Sequence, residues 1–228
     1  GDGSADGCSS EVQRNALRVG NRGEIAVRIC RTARAMGLRC VAVFSDADRA
    51  APHVAAADAA VRIGPAAAAE SYLSIPALIE AAQAAGADAI HPGYGFLAEN
   101  ADFAEACAAA GLTFIGPPAE AIRLMGDKRL AKIRMEEAGV PCIPGYAGAD
   151  QSDDVLLAKA GDVGFPLRGR GAAGGGGRGI RRVEAAADLP AALVSARSEA
   201  LAGFASDDLI LEHAIERPRH IEIQIFAD

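Results

Sequence analysis

Tryptophan is absent from the 228 residues, and aromatic side chains of any kind make up only 4%. That leaves too few rings for the stacking platforms that hold single-stranded nucleic acid. An excess of basic charge is also missing. Lys and Arg number 23 against 30 Asp and Glu, for a formal net charge of -7, which excludes a chain built to coat phosphate backbones. The five cysteines form no CxxC pair and no His/Cys cluster at zinc spacing. Three of them sit in apolar periodic surroundings and read as buried free thiols, which implies a reducing compartment, cytosol or mitochondrial matrix. No charge-free apolar run approaches the roughly 18 residues of a membrane span. Residues 1–15 are polar and lack the apolar centre of a secretory signal. What remains is a chain half apolar in composition, enough for one large domain or a medium one with a smaller companion.

From Ala16 onward, short β-like runs alternate with amphipathic helices. Ala16–Val19, Leu38–Phe44, Ala87–His91 and Leu112–Ile115 read as strands. Helices are expected over Glu24–Met36, Ile75–Ala85 behind a Ser74 cap, and Asn100–Ala110. Such alternation predicts an α/β fold with a doubly wound, mostly parallel sheet. The pattern closes near Gly116-Pro117-Pro118, and a smaller α+β unit follows. It has helices over Ala119–Leu124, Lys128–Ala138, Asp153–Ala160 and Leu189–Ala202, with strands from Phe165, at Gly179–Val183 and at Asp208–Leu211. The expected division is a polar extension 1–15, an α/β domain 16–126, an α+β domain 127–212 and a last segment 213–228. In that segment Ile221, Ile223 and Ile225 alternate on one face of a strand without a partner, so the chain reads as truncated.

Three stretches carry chemistry. Ala172-Ala-Gly-Gly-Gly-Gly-Arg-Gly179 lies between two expected strands, and consecutive glycines let several backbone N–H groups face one anion. Arg168, Arg170, Arg178, Arg181 and Arg182 fall within 15 residues, 168–182, that contain no acid. A flexible linker, an arginine–glycine tail and a solvated basic face compete with a phosphate loop, although flanking strands argue against the first two. The run lacks the GK[ST] ending and following helix of a P-loop. Gly20-Asn-Arg-Gly-Glu-Ile-Ala-Val27 sits at a strand-to-helix junction but lacks GxGxxG, and Glu24 would oppose a phosphate there, so it reads as a tight structural turn. His91-Pro-Gly-Tyr-Gly-Phe-Leu-Ala-Glu-Asn100 follows a parallel strand, where α/β sheets place ligands. By itself it fits an ordinary loop ending in an Asn100 cap equally well. His53 reads as a hydrogen-bonded structural histidine. Glu212 and His220 beside the glycine unit fit a structural pair as readily as a ligand site.

The stretches NRGEIAVRI, HPGYGFLAENADFA, RLMGDK, AGVPCIPGY, AAGGGGRGIR and ILEHAIERPRHIEIQIFAD occur in the order and spacing of biotin carboxylases. From about Leu17 to Asp228 the chain resembles that family, and within it the biotin-bearing subunits of acyl-CoA carboxylases. The resemblance implies an ATP-grasp fold: an amino-terminal α/β domain, a lid domain, and a catalytic carboxyl-terminal domain. It implies a ligase using MgATP and bicarbonate to form carboxyphosphate, whose carbon dioxide is captured by biotin on a carrier domain. A carboxyltransferase subunit and a homo-oligomer or larger complex are the implied partners, with neither nucleic acid nor membrane. It also implies a cytoplasmic location, or the mitochondrial matrix in a eukaryote.

Carried over residue by residue, the resemblance assigns Lys128 and Arg170 to the ATP phosphates and Gly174, Gly175, Gly176 and Gly177 to a loop covering them. Ile180 and Ile215 would pack on the adenine, Glu212 and His213 would lie at its edge, and His220 near the nucleotide. Tyr94 and Gly95 match the loop lining the biotin pocket. The family strand normally carries two apolar residues and a Lys where Arg168-Gly169-Arg170 stands here. That departure predicts a weakened or distorted lid, because Gly weakens strands and a buried unpaired Arg is costly. His213 stands where a Lys usually follows the Glu. Catalytic residues and magnesium ligands are expected after Asp228, so the 228 residues alone are expected to lack activity. The alternatives are a non-catalytic nucleotide-binding or subunit-interaction remnant, and another ATP-grasp ligase.

Overall fold

The alternation of buried strands and amphipathic helices builds an all-parallel sheet. The computed structural model describes residues 16–172, 180–204 and 206–223, and two units divide it, Gly1–Arg123 and Leu124–Asp228. In the first, β1 (Ala16–Val19), β2 (Arg39–Ser45), β3 (Ala59–Gly64), β4 (Ala89–His91) and β5 (Thr113–Phe114) lie in the order β3-β2-β1-β4-β5. Every neighbouring pair is parallel. The order reverses at β1, so the loops after β1 and β4 open side by side at a switch point, where such sheets hold ligands.

Helices α1 (Gly23–Ala35), α3 (Ile75–Ala84) and α4 (Ala101–Ala109) connect these strands, and the short α2 (Pro52–Ala56) precedes β3. Asn100 caps α4 by accepting from Phe103 N at 2.8 Å, and Ser74 caps α3 through Ala77 N. One cluster gathers Val43, Leu78, Ile90 and Phe103, and another gathers Val19, Ile25, Ile29 and Cys30. Fully buried His53 meets Val43 O through Nε2 at 3.0 Å, as a structural histidine should.

Two local expectations need correction, and one strand was not anticipated. The alanine-rich run Ala59–Gly64 is a strand that its weak β propensity concealed; a parallel partner, β2, compensates. Cys30 on α1 and Cys40 on β2 are not free thiols. The Gly37 turn brings their Cα atoms to 5.5 Å, and they are joined as a disulfide. Only Cys107 and Cys142 are free among the described residues. Residues 221–223 form no strand and are exposed, because no described strand lies beside them to take their hydrogen bonds. The rest of that expected strand lies outside the described residues.

The second unit is a four-stranded antiparallel sheet, β6 (Gly145–Tyr146), β9 (Leu209–His213), β7 (Leu167–Gly171) and β8 (Arg181–Val183), in that order. Period-two alternation gives it two faces. Leu167, Leu209 and Leu211 pack with Leu156 of α7 (Asp153–Val163) and Leu193 of α8 (Leu189–Phe204). Ile210 on the other face packs with Ala147 and Ala172, and against Ile133 of α6 (Lys128–Glu137). The helix α5 (Ala119–Gly126) precedes α6.

Strand β7 also corrects the expectation of a distorted lid. It pairs with β9 over five residues, Leu167↔His213 through Gly171↔Leu209. Gly169 shares the core face with Leu167, where an added Cβ would meet only Leu211 Cδ2 at an ordinary 3.7 Å. Arg168 and Arg170 alternate onto the opposite face and are half-buried.

Candidate nucleotide site

Helix α6 begins where Asp127 caps it, accepting from Arg129 N at 2.8 Å and Leu130 N at 3.0 Å. The cap fixes Lys128 as the first helical residue and places Lys132 one turn later on the same side. Lys128 N donates to Ala172 O at 3.2 Å, which ties the helix start to the end of β7. From the sheet, β7 contributes Arg170 and β9 contributes Glu212, both on the face toward α6.

These four side chains meet around a cavity of about 260 Å³, whose apolar walls include Met125, Met135, Cys142 and Ile143. Arg170 Nη2 lies 2.9 Å from Glu212 Oε2, and Lys132 Nζ lies 3.5 Å from Oε1. Lys132 also donates to Ile143 O. Two cations thus hold a single carboxylate, and Lys128 lines the same cavity as a third. Partial burial, then the nearby Arg170 guanidinium, hold the Lys128 pKa below the usual lysine value, against the opposing pull of Asp127 and Glu212. A bound polyanion would relieve the repulsion. The arrangement suits a phosphate group, gripped by an ammonium and a guanidinium that can offer two parallel donors.

Lys128, Arg170 and Glu212 are therefore brought together. Lys132 was missed, although its spacing of four from Lys128 was the signal available. Gly174, Gly175, Gly176 and Gly177 lie outside the described residues. His213 ends β9, half-buried, with its N–H donating to Pro144 O at 2.8 Å. Ile180 and Ile215 are exposed and do not line the cavity. His220 is also apart from it, its side chain 84% exposed and 3.0 Å from Glu222.

The Tyr94–Gly95 loop belongs to the first unit, at the sheet's switch point. Asn21, just after β1, donates to Pro92 O at 2.8 Å and Tyr94 O at 2.7 Å. Gly93, at φ +70°, passes so close to Asn21 that a Cβ would stand 2.8 Å from its amide nitrogen. Phe96 stacks on Tyr72 at 5.1 Å, and the Arg22 guanidinium lies over both rings. Arg22 and the Tyr72 hydroxyl both reach Asp48, at 3.2 and 2.8 Å. Burial, reinforced by that carboxylate, pushes the Tyr72 pKa up to about 12. The braced loop rims an open hollow of about 380 Å³, lined by Asn21, Arg22, Tyr94, Gly95 and Phe96 among others. The Gly20–Val27 stretch is thus the structural turn expected, and it holds the loop across the switch point.

With this geometry in view, comparison with known proteins is direct. Residues 13–122 match the family described as biotin carboxylase, N-terminal domain, and residues 127–228 the carbamoyl-phosphate synthase L chain, ATP binding domain. The mitochondrial methylcrotonoyl-CoA carboxylase subunit alpha of Oryza sativa subsp. japonica is 55% identical over 210 residues, 92% of this chain and 28% of that protein. The biotin carboxylase of Haemophilus influenzae is 51% identical over 212 residues, 92% of this chain and 47% of that protein. Among solved structures, the Campylobacter jejuni biotin carboxylase–beta-gamma-ATP complex superposes with a TM-score of 0.86 at 48% identity, covering 90% of this chain and 46% of that one. The biotin carboxylase domain of Hydrogenobacter thermophilus 2-oxoglutarate carboxylase, in complex with MgADP, ADP and bicarbonate, gives 0.83 at 42% identity, covering 89% and 44%. The chain therefore spans less than half the length of each of these relatives.

Proposed function

The chain carries the N-terminal and ATP-binding domains of the biotin carboxylase family, and from that premise we propose that it serves ATP- and bicarbonate-dependent carboxylation of biotin on a carrier domain. The protein to which it contributes is, on this reading, the biotin carboxylase component of an acyl-CoA carboxylase. A carboxyltransferase subunit is its partner, in a larger assembly. The single observation that carries the reading is the cavity lined by Lys128, Lys132 and Arg170 with one carboxylate, Glu212, among them. Lys128 and Arg170 take the triphosphate, and their fixed charges offset the negative charge that spreads over phosphate oxygens during transfer. On the same reading Gly174 to Gly177 are assigned to the phosphates, and Glu212 and His213 to the base together with Ile180, Ile215 and His220, which lie outside the cavity. Tyr94 and Gly95, braced by Asn21, receive biotin.

Magnesium accompanies ATP in this chemistry. Among the described residues no group of three or more His, Cys, Asp or Glu could hold a metal ion, and both oxygens of Glu212 already face cations. These residues do not fit the ion. Relatives from plants and animals are named as mitochondrial, which supports a matrix location if the source is eukaryotic. No described helix is long and apolar enough to cross a membrane.

A segment exchange tests the proposal. Residues 17–228 are substituted for the matching segment of the Haemophilus influenzae biotin carboxylase, and bicarbonate-dependent ATP hydrolysis is measured with and without biotin. Biotin-stimulated turnover within about tenfold of the parent enzyme is expected, since one factor of ten reflects only about 1.4 kcal/mol. A folded chimera that binds ATP but never responds to biotin would instead identify a nucleotide-binding remnant.

A further inference from the structure

Arg170 faces a conflict. It is committed to Glu212 Oε2 at 2.9 Å, its Nε is buried without a hydrogen-bond partner, and its side chain is 30% exposed at the cavity. A phosphate gripped through two parallel guanidinium donors competes for Nη2 with Glu212, whose carboxylate is only 14% exposed. Leaving a buried carboxylate unpaired costs several kcal/mol, enough to cancel the gain from the phosphate. The structure supplies a second cation for that moment. Lys132 Nζ stands 3.5 Å from the other carboxylate oxygen, with its side chain only 7% exposed. It is tethered to Ile143 O and cannot easily swing into the cavity. Space is kept for it by Gly145, where a Cβ would lie 2.9 Å from Nζ.

We propose that Lys132 is a positioning residue: it retains Glu212 while Arg170 exchanges that carboxylate for a phosphate of the ligand. The proposal rests on the nucleotide reading of this cavity and adds to it a partner exchange that sets phosphate affinity. Lys132 acts through Glu212 and not by touching the ligand. Its effect must therefore vanish when Glu212 carries no charge.

That dependence makes a double-mutant cycle decisive. Inorganic tripolyphosphate, which has no base to contact Glu212, is titrated by calorimetry into the 228-residue chain and its K132M, E212Q and K132M/E212Q variants. K132M should weaken binding about tenfold, because Arg170 is then the sole partner of Glu212; a tenfold change corresponds to about 1.4 kcal/mol. In the E212Q background the same substitution should change affinity less than about twofold (under about 0.4 kcal/mol). K132R should recover most of the loss, and E212Q alone should bind more tightly than the parent by releasing Arg170. Equal weakening by K132M in both backgrounds would make Lys132 a direct phosphate ligand and overturn the exchange, as would no weakening in either. If K132M does not unfold cooperatively by circular dichroism, the sign of the E212Q effect decides, and weaker binding contradicts the proposal. A parent chain that binds tripolyphosphate nowhere would remove the nucleotide reading itself, an outcome distinct from an additive cycle.

Discussion

Replacing Lys128 by methionine is expected to weaken ATP binding about ten- to hundredfold while leaving the fold intact. Charge-assisted hydrogen bonds contribute about 1.5–3 kcal/mol each, and every 1.4 kcal/mol is about tenfold in affinity. Little stability should be lost, because a cation in the first turn of a helix opposes the helix dipole. The cap that starts α6 comes from Asp127, not from Lys128. Isothermal titration should therefore show the loss without a lowered urea midpoint, and Lys128→Arg should retain most of the binding. A pH series adds a sign. The pKa of Lys128 is lowered by burial and by Arg170, so the ammonium is lost at lower pH than in an ordinary lysine. Affinity should fall on the alkaline side accordingly. Unchanged affinity in Lys128→Met would remove this residue from the phosphate site.

Replacing Arg18 by methionine should stabilise the protein, by about 1–4 kcal/mol on the precedent of buried charges exchanged for apolar groups of similar volume. Arg18 lies on central strand β1 with 0% exposure. Its Nη1 donates to Ala81 O, while Nε and Nη2 are buried without partners. Burial pushes its pKa down to about 10. The fold thus holds this proton less tightly than the unfolded chain does. The penalty is fully present below about pH 10 and fades only above it. At neutral pH the urea midpoint of Arg18→Met should rise with an unchanged slope. A lower midpoint would mean that Arg18 has a stabilising partner in solution.

Much of the first unit was legible because its strands and helices obey simple periodicities. Ser74 and Asn100 could be read as caps from residue type alone, and both act as such. What escaped depended on tertiary neighbours. Ala59–Gly64 becomes a strand through pairing with β2, and no count of β-branched residues reveals that. Cys30 and Cys40, ten residues apart, meet because α1 folds back onto β2. Arg168 looked like a buried charge until period-two alternation in the actual sheet put it on the face away from the apolar core. Lys128, Arg170 and Glu212 were found through the resemblance, since they lie far apart in sequence and share no local motif. Lys132 was overlooked for the opposite reason: a lysine on a charged helix reads as solvated, and beyond its spacing of four from Lys128 it is the packing of Ile143 and Gly145 around it that shows otherwise.

The claim on which the rest depends is that the triphosphate of a nucleotide sits beside Lys128 in the cavity formed by α6, β7 and β9. The chain contains only three lysines, Lys128, Lys132 and Lys159, so a lysine-acylating ATP acyl phosphate followed by peptide mass spectrometry can locate the phosphates unambiguously. Lys128 should take the label, an excess of unmodified ATP should suppress it, and Lys159 should react only at the background rate. Label that ATP fails to suppress, or that falls on Lys159 as readily as on Lys128, would contradict the account.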